Sequence, residues 1–135
     1  MGYTEKLIDF IGKSTDCYHA VKTAKDRLDE NGFTELFEGD KWEVQSGGKY
    51  YVIRNSSSII AFEMPKKDFG AFMICASHTD SPSFKLKPDF EINADGCIKL
   101  SVEGYGGMIM SSWLDRPLSI SGRIVTAKDG KVETK

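Results

Sequence analysis

The residues best suited to chemistry in this chain lie in one short run, Ser77-His78-Thr79-Asp80-Ser81-Pro82. His78 and Asp80 are two positions apart, so in an extended backbone their side chains point to the same side. A carboxylate there can accept one ring N–H of the imidazole, fix its tautomer and leave the other nitrogen for a metal ion. Pro82 stiffens the backbone just beyond the pair. A His-x-Asp triplet on its own also fits a surface or capping histidine beside an aspartate. The segment that precedes it therefore decides how much the triplet means.

That segment, residues 71–76, reads Ala-Phe-Met-Ile-Cys-Ala. It is apolar without alternation, which predicts a strand covered on both faces in the middle of an α/β sheet. Open α/β sheets place ligand sites beyond the carboxyl ends of their strands, which is where His78 stands. Further upstream, Tyr3, Leu7, Phe10 and Ile11 share one helical face, predicting a short amphipathic helix over 3–12 that ends near Gly12. Ser14, Thr15 and Asp16 offer capping oxygens for a second helix, in which Cys17, Val21, Ala24 and Leu28 recur until Asn31 and Gly32 stop the pattern. Residues 42–44 and 50–53, separated by Gly47 and Gly48, predict a hairpin, and 59–64 a further strand before a polar connection over 65–70.

Beyond the site, 90–92 and 98–102 alternate around Asp95 and Gly96, predicting a second hairpin. The β pattern continues over 118–125 and through a turn at Asp129 and Gly130. The fold class is therefore α/β, with helices and a buried strand first and β-rich sequence after a switch near Lys87 and Pro88. The sequence stops in a strand-like stretch at 132–135, so a piece of a longer protein is expected.

Three blocks, in order, carry a resemblance. Residues 76–82 followed by Phe84-Lys85-Leu86-Lys87-Pro88, then Val102-Glu103-x-Tyr105-Gly106-Gly107, then Trp113-x-Asp115-Arg116-Pro117-Leu118-Ser119-x-Ser121-Gly122-Arg123-Ile124, resemble the aspartyl aminopeptidase family of zinc metallopeptidases. The resemblance implies the start of a zinc-aminopeptidase α/β core over 1–88 and the start of a β-rich inserted dimerisation domain over 89–135. It implies that His78 binds one of two zinc ions, that Asp80 orients it, and that the full enzyme removes an N-terminal, usually acidic, residue from a peptide substrate. It also implies a homo-oligomer when full-length, with the remaining ligands and the general base in later segments. On that basis the chain alone is expected to be inactive or nearly so. The alternative is a noncatalytic interaction module that associates with a partner chain through unpaired strand edges.

The stretch 14–21 resembles a further block of that family, although Thr15 and Cys17 replace its usual prolines. Its His19 sits inside the second helix and is expected to be structural. Lys85 and Lys87 are expected to be solvated, and Asp115 and Arg116 to form a structural ion pair. The glycines around Tyr105 do not follow the strand–loop–helix pattern of a phosphate loop, so no nucleotide is expected. Cys75 is expected to pack as a small apolar residue. Cys17, Cys75 and Cys97, odd in number and widely spaced, read as free thiols.

Composition narrows the remaining options. The 135 residues suffice for one domain or part of one, with 40% hydrophobic and 28% charged residues. Eighteen basic against twenty acidic side chains give a net charge of -2, which provides no field for nucleic acid or an anionic membrane. Glu5 and Asp9 interrupt the first ten residues, unlike a signal peptide, and no apolar run approaches the ~18 residues of a membrane helix. The expected location is cytoplasmic.

Overall fold

A computed structural model describes residues 2–135. Contacts divide it into two units, one comprising the residues up to Asp80 together with Ser121–Lys135, the other Ser81–Ile120.

The first unit begins with helix α1, Tyr3–Lys13, which runs through Gly12 to a cap at Ser14. Glu5 Oε2 accepts the Gly2 N–H at 2.8 Å, satisfying a backbone donor at the helix start. Helix α2, Cys17–Glu30, is capped by Asp16, whose Oδ1 accepts from the N–H groups of Tyr18 and His19 at 2.8 and 2.9 Å. At its end Gly32 adopts φ 77°, and the Gly32 and Phe33 N–H groups return to the Asp29 and Leu28 carbonyls, each at 3.0 Å. This paired closure needs the left-handed conformation that glycine adopts without strain. Arg27 joins the helices, donating to the Lys6 carbonyl at 2.7 Å and covering the Phe10 ring at 4.8 Å.

The helices accompany a three-stranded sheet of β1 (Thr34–Glu35), β2 (Lys49–Arg54) and β3 (Ser58–Glu63), in that spatial order. β1 runs parallel to β2, and β2 and β3 form an antiparallel hairpin. The expected hairpin between 42–44 and 50–53 does not form, because both edges of β2 are already taken. Instead Trp42 stacks on Phe62 of β3 at 6.4 Å and donates its indole N–H to the Phe37 carbonyl at 2.8 Å.

The core of this unit is Ala20 and Val21 of α2 with Tyr50, Tyr51 and Val52 of β2, where Tyr51 points to the α2 side of the sheet and Tyr50 to the other, against Phe62. Tyr51 is fully buried, at 0% exposure, yet its hydroxyl is satisfied. It accepts from Lys25 Nζ, donates to Asp29 Oδ1 at 2.7 Å and lies 3.3 Å from Glu35 Oε2. Lys25 also reaches Glu35 at 2.9 Å and Asp29 at 3.2 Å, so one polar cluster joins α2, β1 and β2. A buried hydroxyl left unpaired would cost about 1–3 kcal/mol, which is why the cluster accompanies the ring.

Residues 71–76 differ most from expectation. They form no strand and are exposed, Phe72 at 78% and Ile74 at 86%. A strand covered on both faces needs neighbours at both edges and a layer on each side, and none is present among the described residues. Cys75 is correspondingly exposed rather than packed.

The second unit is built on a long hairpin of β4 (Ser83–Ala94) and β5 (Cys97–Tyr105). Asp95 at φ 55° and Gly96 at φ 75° make its two-residue turn, as the Asp-Gly pair predicts. The register shifts between Leu86 and Glu91, around Pro88, which has no N–H to give to the ladder. A 3₁₀ turn at Met110–Trp113 follows, with Trp113 edge-on to Phe84 at 5.6 Å.

Residues 118–124, expected to be β, are irregular. Pairing starts at the Ile124 backbone, which exchanges two hydrogen bonds with Lys135, and continues as β6 (Val125–Lys128) against β7 (Lys131–Thr134). Arg123 ties this returning segment to the rest of the first unit. Its guanidinium covers the Tyr18 ring at 4.7 Å and donates to the Asn55 carbonyl and Oδ1 at 3.1 and 2.9 Å.

Candidate metal centre

The structure brings His78 and Asp80 together within the first unit. His78 Nδ1 lies 2.7 Å from the Asp80 backbone carbonyl and 3.3 Å from Asp80 Oδ1. A carbonyl can only accept, so Nδ1 carries the proton and Nε2 holds the lone pair that a metal would use. The carboxylate expected to orient the ring is beside it, but the nearer acceptor is the main chain of the same residue. The His78 side chain is 77% exposed.

The loop holding this pair is anchored through Thr79, whose Oγ1 donates to the Ser57 carbonyl at 2.7 Å. Ser57 follows Asn55 and Ser56, both at positive φ, 51° and 55°, in the turn between β2 and β3. The Arg123 guanidinium holds Asn55 of the same turn. Thr79 and Arg123 both lie in the blocks that stand out in the sequence, but residue type assigns neither a role at the site. Their roles rest on contacts to backbone carbonyls, which leave no mark in residue type.

His19 is structural, as expected. Its Nδ1 meets Asp16 Oδ2 at 2.8 Å while its N–H meets Oδ1, so the ring reinforces the cap of α2. Partial burial pushes the Asp16 carboxyl up, but the His19 backbone and ring, with Ser121, outweigh it and hold it below its ordinary value. Lys85 faces Glu103 across the β4–β5 ladder and both lysines are exposed. Asp115 and Arg116 do not pair among the described residues; Arg116 Nη1 donates to the Ser112 carbonyl at 3.4 Å. Asp115 itself stands at φ 52°.

No group of three or more His, Cys, Asp and Glu side chains able to hold a metal occurs among the described residues. A catalytic zinc takes about three protein ligands. His78, with its tautomer set, fits one ligand position of such a centre, and the described residues do not make the whole of one.

The profile of the family described as aminopeptidase I zinc metalloprotease (M18) matches residues 10–135, and the chain belongs to this family. It is 48% identical over 128 residues to the probable M18 family aminopeptidase 2 of Clostridium acetobutylicum, across 90% of this chain and 29% of that protein. A solved structure of the Ape4 and Nbr1 complex is similar at a TM-score of 0.91 and 40% identity, over 96% of this chain and 26% of that one. The S. cerevesiae mApe1 dodecamer is similar at a TM-score of 0.79 and 33% identity, over 96% of this chain and 32% of that one. The chain spans 29–30% of the length of the curated relatives it matches. No helix among the described residues is long and apolar enough to cross a membrane.

Proposed function

We propose that this chain supplies the first metal ligand of a zinc aminopeptidase that removes N-terminal, acidic residues from peptides. The observation that carries the reading is the His78 ring, held at Nδ1 by Asp80 with Nε2 left to bind, inside a chain that matches the family from residue 10 onward. Asp80 orients the imidazole, its main-chain carbonyl and its carboxylate both lying close to Nδ1. Zinc, when bound, lowers the pKa of a water and polarises the scissile carbonyl. One imidazole does not hold catalytic zinc, so the polypeptide by itself does not turn over. The remaining ligands and the general base belong to the part of the family length that this chain does not span. In this reading 1–88 begins the catalytic core and 89–135 the inserted dimerisation domain of a cytoplasmic homo-oligomer.

The exposed apolar run over 71–76 favours docking onto further polypeptide, in which these residues become the covered strand that their composition calls for. The test uses a chimera in which this chain replaces the matching portion of the Clostridium acetobutylicum relative. With zinc, it is expected to cleave an N-terminal aspartyl chromogenic peptide faster than a leucyl one, and His78→Ala to abolish turnover. Undiminished turnover in a folded His78→Ala chimera would sink the assignment. Steady turnover by the chain alone, lost in His78→Ala, would overturn its inactivity.

A further inference from the structure

We infer that Thr79 is a positioning residue for His78 and that Arg123 forms the far end of the same support. The inference rests on the reading of His78 as a metal ligand. Residues 71–76 make no strand ladder among the described residues, so regular pairing does not hold the loop that carries the imidazole. The bond that ties it to the sheet is Thr79 Oγ1 to the Ser57 carbonyl, half-buried and 2.7 Å long. Thr79 stands between the ligand and the residue that orients it, so fixing its side chain restrains the short backbone over which His78 Nδ1 meets the Asp80 carbonyl. The acceptor is held in turn. Ser57 closes the tight turn of the β2–β3 hairpin, in which Asn55 and Ser56 take the positive φ that such turns require and the Ser57 N–H returns to the Arg54 carbonyl at 3.2 Å. Arg123 braces that turn with two bonds to Asn55, while its guanidinium rests on Tyr18 of α2. The support thus runs from α2 through Arg123 and the β2–β3 turn to Thr79 and the imidazole.

Nuclear magnetic resonance of the chain labelled with ¹⁵N in its histidine rings tests this without relying on activity. There are two histidines, and His19, held by Asp16, is an internal reference. Above the pH at which imidazole titrates, both rings are expected in the Nδ1–H form, with well separated nitrogen shifts. Thr79→Val is expected to move the two His78 shifts toward each other, as the tautomers begin to exchange, while His19 stays in place. Thr79→Ser is expected to restore the separation. Arg123→Gln is expected to move His78 in the same direction by less, and it keeps the test decidable if Thr79→Val fails to fold. A His78 pattern unmoved in either folded variant overturns the support. The chimera with the Clostridium acetobutylicum relative, which would supply the remaining ligands, forms a separate arm. Undiminished zinc-dependent turnover in its folded His78→Ala form removes the metal reading and leaves the Thr79 result standing.

Discussion

Replacing Tyr51 by phenylalanine keeps the buried ring and removes only the hydroxyl that Lys25 and Asp29 share. Hydrogen bonds to charged groups contribute about 1.5–3 kcal/mol, more than neutral ones. Here the figure must be discounted, because Lys25 keeps its contacts to Glu35 at 2.9 Å and Asp29 at 3.2 Å at a partly solvated site. The expected loss from Tyr51→Phe is therefore about 1–2 kcal/mol, whereas Tyr51→Ala, which empties the ring's site, should cost about 3–5 kcal/mol. Urea unfolding followed by far-ultraviolet circular dichroism and by the fluorescence of Trp42, in a Trp113→Phe background, measures both. A double-mutant cycle with Lys25→Met should return a coupling of about 0.5–3 kcal/mol. The alkaline limb adds a second check. The Tyr51 bond and the carboxylates raise the Lys25 pKa, and burial raises that of Tyr51. Groups raised in the folded state stabilise it fully below their ordinary values, 10.5 and 10.0, and that stability is lost as pH climbs through the folded values. Tyr51→Phe should flatten this loss. A Tyr51→Phe protein within about 0.5 kcal/mol of the parent, the range of ordinary surface changes, with no coupling to Lys25, would refute the reasoning.

Substitutions at two further positions probe the cap of α2 and the turn of the β4–β5 hairpin. Asp16→Ala should cost about 0.5–2 kcal/mol by uncapping α2, measured by the same urea titration, and Asp16→Asn should cost less. Because the Asp16 pKa is lowered from 3.8, its contribution is present above that value and lost as pH falls through the folded one, so Asp16→Asn should make the acid limb shallower. Gly96→Ala should destabilise the β4–β5 hairpin by about 1 kcal/mol, since φ 75° strains any side chain even though no atom obstructs a Cβ there. Faster amide exchange along that hairpin would report it.

What the sequence reveals about this fold depends on how local the deciding interaction is. Helix α2 was legible at both ends, because Asp16 and the Asn31-Gly32 pair act on their immediate neighbours. The Asp95-Gly96 turn was legible for the same reason. Residues 42–44 were misleading: their composition suits a strand, but the edges of β2 go to β1, only Thr34–Glu35, and to β3, and no local pattern announces that choice. The apolar run over 71–76 was misleading too, since its composition suits a covered strand, whereas among the described residues it is unpaired and exposed. At the site, the pairing of His78 with Asp80 follows from a two-residue spacing and could be read directly. Its nearer acceptor is a main-chain carbonyl, and the Thr79 and Arg123 anchors cross sequence separations of 22 and 68 residues, so neither could be read from residue types.

The return of the chain at Ser121 to the body it left at Asp80 has a consequence during synthesis. The His78 loop leaves the ribosome well before Arg123, by roughly 2–9 s at about 5–20 residues per second. Through that interval the β2–β3 turn lacks its guanidinium clamp, and the exposed Phe72, Met73 and Ile74 emerge ahead of it. The nascent chain thus passes through a window in which a chaperone that grips short greasy stretches would find this segment first, with the imidazole not yet aimed.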